Sequence, residues 1–129
     1  MTAKNGAPPI DHTLIDRAFR ELIDAFRVDD GGDPSALYDA LAKRIRAHLH
    51  AEDAAFARFA FVDAEEATAL LAEHRAIEAT MDTLAAKAAR GALRLRDVYD
   101  FKIRFALHEA REETGYYRRT PEERARPTA

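Results

Sequence analysis

Residues 97–112 read DVYDFKIRFALHEARE, and their apolar side chains recur at the spacing of an α-helix. The stripe, at intervals of three and four residues, consists of Val98, Phe101, Phe105, His108 and Glu112. Side chains at these intervals share one helix face, so the pattern predicts an amphipathic helix from about Asp97 to Gly115. The alternation of Leu93 and Leu95 resembles a short strand, but the helical spacing that follows fits a helix better.

Three earlier segments show the same spacing and are separated by turn-forming residues. Capping residues place the first at residues 11–27, the second from Asp33 or Pro34 to about residue 57, and the third from Asp63 to near Gly91. Their stripes are Ile15, Phe19, Leu22, Ile23 and Phe26; then Leu37, Leu41, Ile45, His48, Glu52 and Phe56; then Ala67, Leu71, His74, Glu78, Met81 and Ala85. Four such helices with short connections predict an all-α protein, an antiparallel up-down-up-down four-helix bundle.

The composition fits one folded domain. The chain has 129 residues, of which 47% are hydrophobic and 33% charged, so it has enough apolar material for a core and is not a disordered chain. Residues 10–117 are expected to form the bundle, residues 1–9 a disordered N-terminal extension and residues 118–129 a flexible tail. The net charge of -3, with arginines scattered among carboxylates, argues against a nucleic-acid partner.

Cysteine is absent, which excludes disulfides, thiolate catalysis and iron–sulfur clusters. Any bound metal must therefore use nitrogen and oxygen ligands. The first residues lack the basic start and apolar stretch of a signal peptide, and no run of eighteen apolar residues occurs. A cytoplasmic protein without a membrane partner is expected.

The predicted core contains histidine and glutamate. The apolar stripes of the last three helices each carry a histidine followed four residues later by a glutamate, as His48/Glu52, His74/Glu78 and His108/Glu112. Such pairs lie on one helix face and can aim at a common point. Burying ionisable groups is costly unless they are paired or bind a metal, so the pattern predicts a metal ion inside the bundle.

A histidine on the first helix, His-x-x-x-Glu on the second and fourth, and a histidine on the third resemble the hemerythrin-like, or HHE, family. The resemblance covers residues 10 to about 117. It implies a non-haem di-iron centre with an oxo or hydroxo bridge, held inside a four-helix bundle. The implied metal ligands are His12, His48, Glu52, His74, Glu78, His108 and Glu112.

Carried onto this chain, the family pattern gives each ligand a role. Glu52 and Glu112 would bridge the two irons. His12 and His48 would serve one iron, and His74 and His108 the other. Glu78 stands where hemerythrin itself has another histidine, and carboxylate donors favour Fe(III) over Fe(II). In hemerythrin the fourth-helix carboxylate lies five residues after its histidine, so Glu113 is the alternative to Glu112.

The expected function is to bind or react with a small ligand, namely oxygen, nitric oxide or hydrogen peroxide, because the interior of a narrow bundle excludes large substrates. A catalase- or peroxidase-like activity is one form of this hypothesis. The alternative is a non-catalytic iron-binding or oxygen- or iron-sensing module that acts through a protein partner. A metal-free interaction module, or a bundle that holds zinc or manganese, is the third.

Several other side chains have simpler interpretations. His50 lies about 200° around the helix from His48 and is excluded from the site. Arg44 is either a partner of the site or a solvated side chain. Aromatic and methionine residues on the stripes are assigned to core packing: Phe19, Phe56, Met81, Phe101 and Phe105.

Overall fold

Four helices follow one another, with boundaries close to the capping signals. The computed structural model describes residues 13–27, 32–58 and 64–114, and in this part of the chain it contains helices and no strand. The helices are α1 (Thr13–Arg27), α2 (Pro34–Arg58), α3 (Ala64–Ala89) and α4 (Leu95–Thr114). The four predicted helices are therefore confirmed, and the described turn between α3 and α4 has no strand at Leu93.

Local hydrogen bonds explain where the helices begin. The Asp33 side chain caps α2, because its Oδ1 atom accepts a hydrogen bond from the Ser35 backbone N–H at 3.1 Å. Helix α4 begins at Leu95, two residues before the predicted start. Asp97 is thus inside the first turn, where its Oδ2 atom accepts from the Arg94 backbone N–H at 2.9 Å. In a capping box, the side chain of the third helical residue accepts a hydrogen bond from the N-cap backbone N–H in this way. The prediction from residue type took Asp97 as the helix start, although it is the third helical residue.

Glycine ends α3. Gly91 has a φ of 68°, in the left-handed region that residues with a side chain adopt at a cost. The turn lets the Ala92 N–H donate to the Lys87 carbonyl at 2.8 Å and the Gly91 N–H donate to the Ala88 carbonyl at 3.1 Å. The last carbonyl groups of α3 are thereby satisfied, as expected for a glycine C-cap.

The helices pack around a shared apolar core. Helices α1 and α3 each pack against both α2 and α4. Among the predicted core side chains, Phe19, Met81, Phe101 and Phe105 are buried. The Phe19 ring lies 5.8 Å from that of Phe101 and 6.2 Å from that of Phe105, measured between centroids, which joins α1 to α4. The predicted stripes of these two helices thus both face the shared core.

Helix α3 is rotated relative to the predicted stripe. Its buried side chains are Leu70, His74, Ile77, Met81, Leu84 and Ala88, whereas Leu71 is 36% exposed and Ala85 is exposed. The predicted stripe followed the four-residue step from His74 to Glu78. The buried face follows the three-residue step to Ile77, whose burial removes more apolar surface from water. This rotation decides which side chains of α3 reach the site.

Some predictions lie outside the described residues. They are the two terminal segments and the side chains of His12, Phe56, Ala67 and Glu113. Within the described ranges, no helix has the length and apolar character needed to cross a bilayer.

Candidate metal centre

Five of the seven predicted ligands lie together between α2, α3 and α4. They are His48 and Glu52 on α2, His74 on α3, and His108 and Glu112 on α4, and a sixth residue, Glu109 on α4, joins them. His12 lies outside the described residues. Glu78 lies elsewhere on α3. The cluster consists of three imidazoles and three carboxylates and will be called the His/Glu cluster.

Helical phase explains how α4 supplies three of these groups. With about 100° per residue, Glu112 lies about 40° from His108 and about 60° from Glu109 around the helix axis. His108 therefore points toward α3, Glu109 points toward α2, and Glu112 lies between them. The Phe105 ring packs beside both His48 and His108, with centroid distances of 6.3 and 6.4 Å.

The first group of donors consists of Glu52, His74, His108 and Glu112, all four buried. His74 Nε2 lies 2.9 Å from Glu112 Oε2 and 3.4 Å from Glu52 Oε1. His108 Nε2 lies 3.1 Å from Glu112 Oε1. The two imidazole rings meet edge to face, with centroids 4.8 Å apart. Two nitrogens and two carboxylates thus face one small volume.

The second group consists of His48, Glu52, Glu109 and Glu112. His48 Nε2 lies 3.2 Å from Glu109 Oε1 and 3.4 Å from Glu52 Oε2. This group has one nitrogen and three carboxylates. In each group the donor atoms lie within 4.8 Å of one another, and the two groups share Glu52 and Glu112.

The carboxylates raise the pKa of all three histidines in the His/Glu cluster. Burial disfavours an imidazolium, but the hydrogen bonds to Glu109 and Glu52 outweigh it and raise the pKa of His48 to about 10. Likewise, burial is outweighed by Glu112, Glu52 and Asp53, which raise the pKa of His74 to about 10. Burial opposes a raised pKa at His108 too, but the Glu112 and Glu73 carboxylates prevail and raise it.

The two shared carboxylates differ in their affinity for protons. Burial favours protonation of Glu52, but hydrogen bonds from His48 and His74 overcome it and lower its pKa below the usual range. At Glu112, burial together with the charge of Glu52 raises the pKa, despite the neighbouring imidazoles. Glu52 is therefore the carboxylate that stays ionised most readily.

The cluster fits a cation better than it fits hydrogen bonds alone. Among the described residues, His108 Nε2 and Glu112 Oε1 are buried atoms without a hydrogen-bond partner, although they lie only 3.1 Å apart. Their approach lacks hydrogen-bonding geometry. Buried polar atoms normally have a partner, and converging nitrogen and oxygen atoms are the ligands that a divalent or trivalent metal takes. The side chains present therefore fit a metal ion.

The structure does not bring Glu78 into the cluster. Its Oε1 atom lies 2.8 Å from Arg75 Nε, and its Oε2 atom lies 3.3 Å from His50 Nε2 and 3.5 Å from Arg46 Nη1. Because Ile77 occupies the buried face of α3, Glu78 lies at the edge facing α2. It belongs to an ion-pair network between α2 and α3. His50, whose side chain is 64% exposed, lies outside the cluster as predicted, and Arg44 is exposed.

Sequence reasoning missed three carboxylates that contact the histidines. Glu109 contacts His48, Asp53 contacts His74, and Glu73 contacts His108. Each is adjacent in sequence to a member of the His/Glu cluster, so the search for pairs four residues apart passed over them. The available signal was an acidic residue directly beside a predicted ligand, as Asp53 is beside Glu52, Glu73 beside His74 and Glu109 beside His108.

The His/Glu cluster can hold a metal ion. Its donors come from three helices, so their convergence is a property of the packed fold and of no single segment. No protein-family model, curated protein or solved structure matches the chain.

Proposed function

We propose that this chain is a hemerythrin-like non-haem di-iron protein that binds or reacts with oxygen, nitric oxide or hydrogen peroxide. The observation that carries the proposal is the overlap of two donor groups at Glu52 and Glu112. A carboxylate has two oxygens, so a shared glutamate can serve two adjacent cations at once. Two such glutamates favour a pair of cations over one.

The donors of the cluster are imidazoles and carboxylates, which are suitable ligands for iron. Imidazole suits iron, zinc and copper, whereas carboxylate suits harder ions such as Mn²⁺, so a mixed set accommodates iron. Inward glutamates and histidines on facing helices hold di-iron and di-manganese centres in helical bundles. His74 and His108 would hold one iron and His48 the other, and Glu52 and Glu112 would be shared by both irons, together with an oxo or hydroxo bridge. Glu109 replaces Glu78 in this ligand set.

The up-down-up-down direction of the helices is part of the proposal. Between α2 and α3, Arg46 contacts Asp82 whereas Asp53, further along α2, contacts His74. Between α3 and α4, Glu73 contacts His108 whereas Lys87 contacts Asp97. The residue numbers run in opposite senses in both pairs, which supports antiparallel neighbours.

A cleft beside the second donor group supports a small ligand. A cleft of about 260 Å³ between α1 and α4 is lined by Phe19, Phe105 and Glu109, with Asp16 and Lys102 among its walls. Glu109 is thus the member of the second donor group that borders this cleft. When bound, the iron pair would supply an open coordination position and exchange electrons with the ligand. The phenylalanine rings would exclude water from the approach.

Elemental analysis tests the proposal. The protein is expressed with iron supplied, purified, and assayed for iron, zinc and manganese per chain. We expect two irons per chain in the wild type and fewer than one in Glu52→Ala, since this variant removes a carboxylate shared by both groups. Asp82→Asn, an exposed carboxylate on α3, is the control and should keep both irons. Iron-free protein with an intact fold would refute the proposal.

Spectroscopy then separates the possible activities. The reduced, iron-loaded protein is mixed with oxygen, nitric oxide or peroxide while its near-ultraviolet and visible absorption is followed. Multiple-turnover loss of peroxide indicates an enzyme, and a reversible spectrum indicates a carrier. Two bound irons with no spectral response to any of the three would leave only iron storage and contradict the proposed ligand chemistry.

A further inference from the structure

Two histidines of the His/Glu cluster are held on their outer side by a carboxylate from the preceding helix. His74 Nδ1, on α3, lies 2.7 Å from the Oδ1 atom of Asp53 on α2. His108 Nδ1, on α4, lies 2.5 Å from the Oε1 atom of Glu73 on α3. The same arrangement thus occurs at two successive helix interfaces.

Each of these carboxylates is also bound to an arginine through its second oxygen. Arg75 Nη2 lies 2.5 Å from Asp53 Oδ2. Arg111 Nη1 donates to Glu73 Oε2. Each carboxylate thus forms an ion pair with an arginine of the following helix. An ionised carboxylate can only accept, and the imidazole Nδ1 must therefore be the protonated donor.

The inner side of each ring is left to the cluster. His74 Nε2 faces Glu112 at 2.9 Å, and His108 Nε2 faces the same residue at 3.1 Å. Once Nδ1 carries the proton in a neutral imidazole, Nε2 holds the lone pair. The outer carboxylates therefore select the tautomer that can bind a metal at the centre of the cluster.

Helices α2 and α3 each carry a cluster residue directly beside an outer carboxylate in the sequence. Asp53 follows the shared carboxylate Glu52, and Glu73 precedes His74. Adjacent side chains diverge by about 100° around a helix, so one reaches the centre while its neighbour reaches the next helix. Helices α2 and α3 each supply both a donor and the outer partner of the next helix's histidine.

We propose that Asp53 and Glu73 are positioning residues for the metal centre, which fix the tautomer and ring orientation of His74 and His108 and strengthen these rings as metal donors. The inference rests on the proposed function, because it requires a metal at the His/Glu cluster. Partners of this kind typically change metal affinity by about 10–100-fold when they are removed. They do not themselves touch the metal.

The test measures metal loss from the whole 129-residue chain. Anaerobic iron(II)-loaded wild type, Asp53→Asn, Asp53→Ala and Glu73→Gln are mixed with a colorimetric chelator, and the rate of iron loss is followed. We expect the Asp53→Ala variant to lose iron at least roughly ten times faster than the wild type. The asparagine variant should fall between it and the wild type, since its side chain keeps an acceptor but not the charge. Asp82→Asn, which removes another carboxylate at the α2/α3 interface, should match the wild type.

A second measurement reports the tautomer directly. Nitrogen-15 NMR of zinc-loaded protein should show protonated Nδ1 and metal-bound Nε2 at His74 and His108 in the wild type. Asp53→Ala should weaken or scramble this state at His74 alone, and Glu73→Gln at His108 alone. A purely structural role would lower thermal stability without moving these signals.

The outcomes distinguish the two proposals. A wild type that binds no metal while folded would overturn both the proposed function and this inference. A wild type that binds two irons, with Asp53 and Glu73 variants that lose iron at the Asp82→Asn rate and keep their imidazole signals, would overturn the inference alone.

Discussion

The carboxylate of Glu112 on α4 lies 2.9 Å from the Nε2 atom of His74 on α3, and both side chains are fully buried. A buried ion pair of this kind is stabilising only with good geometry and further partners. His74 has them in Asp53 and Glu52. The pair is therefore one link in a buried network of imidazoles and carboxylates.

Glu109 and Glu78 should differ in their effect on metal content. Glu109→Gln removes a charge that lies 3.2 Å from His48 Nε2 and should weaken binding of the second iron by roughly tenfold or more. Glu78→Gln removes an equivalent charge from the ion-pair network outside the cluster and should leave two irons bound. Iron titration with elemental analysis checks both. Equal iron loss in the two variants would contradict the proposed ligand set.

Metal binding should release protons. Burial lowers the pKa of His48 and His74, but the neighbouring carboxylates outweigh it and raise both values to about 10. In the metal-free protein at neutral pH both rings are therefore imidazolium ions, protonated on both nitrogens. A metal can bind only the deprotonated nitrogen. Loading weakly buffered protein at pH 7.5 should therefore release at least about two protons per chain. The variant His50→Gln should release the same number, since His50 lies outside the cluster.

The metal-free protein should lose stability in mildly alkaline solution. The folded-state pKa of His48 and of His74, about 10, lies above the ordinary 6.5. The folded chain thus binds more protons than the unfolded chain between these values. The stabilisation is fully present below pH 6.5 and is lost as the pH rises through about 10. Urea unfolding at pH 6 and pH 9.5 measures it, and His48→Leu should make the decline shallower.

The rotation of α3 can be tested by two alanine substitutions. Ile77 is fully buried, so Ile77→Ala should lower the free energy of unfolding by about 2–5 kcal/mol. Leu71, on the predicted stripe, is 36% exposed, so Leu71→Ala should change the free energy of unfolding by less than about 1 kcal/mol. Chemical denaturation of the metal-free proteins compares them. If Leu71→Ala were the more destabilising variant, the buried face of α3 would be the stripe predicted from the sequence and not the one in the structure.

A buried tyrosine joins the start of α2 to α3. The Tyr38 hydroxyl donates to the Met81 carbonyl at 2.6 Å, and burial raises the pKa of Tyr38 to about 12. Tyr38→Phe should therefore destabilise the protein by about 0.5–1.5 kcal/mol. Tyr99→Phe, at a tyrosine that is 38% exposed, serves as the control and should have little effect. Denaturation midpoints of the two variants measure the difference.

The helices were predictable because local features specify them. Apolar spacing, capping aspartates and Gly91 located all four helices to within about two residues at the described ends, as expected for boundary assignments. The pairs His48/Glu52 and His108/Glu112 were predictable for the same reason, since residues four apart share a helix face whatever the helix packs against. The spacing within each helix does not specify which of these pairs come into contact with one another in the folded protein.

Apolar spacing and capping residues are enough to predict the helices, the stripes of α1 and α4, and the inward direction of His48, His74 and His108. Tertiary packing decided that Ile77 and not Glu78 follows His74 into the core, that Glu109 joins the cluster, and that Asp53 and Glu73 hold the outer nitrogens of two histidines. The physical reason is that a helix presents side chains in every direction, and neighbours on the chain diverge by about 100°. Only the positions of adjacent helices select the direction that becomes the interior.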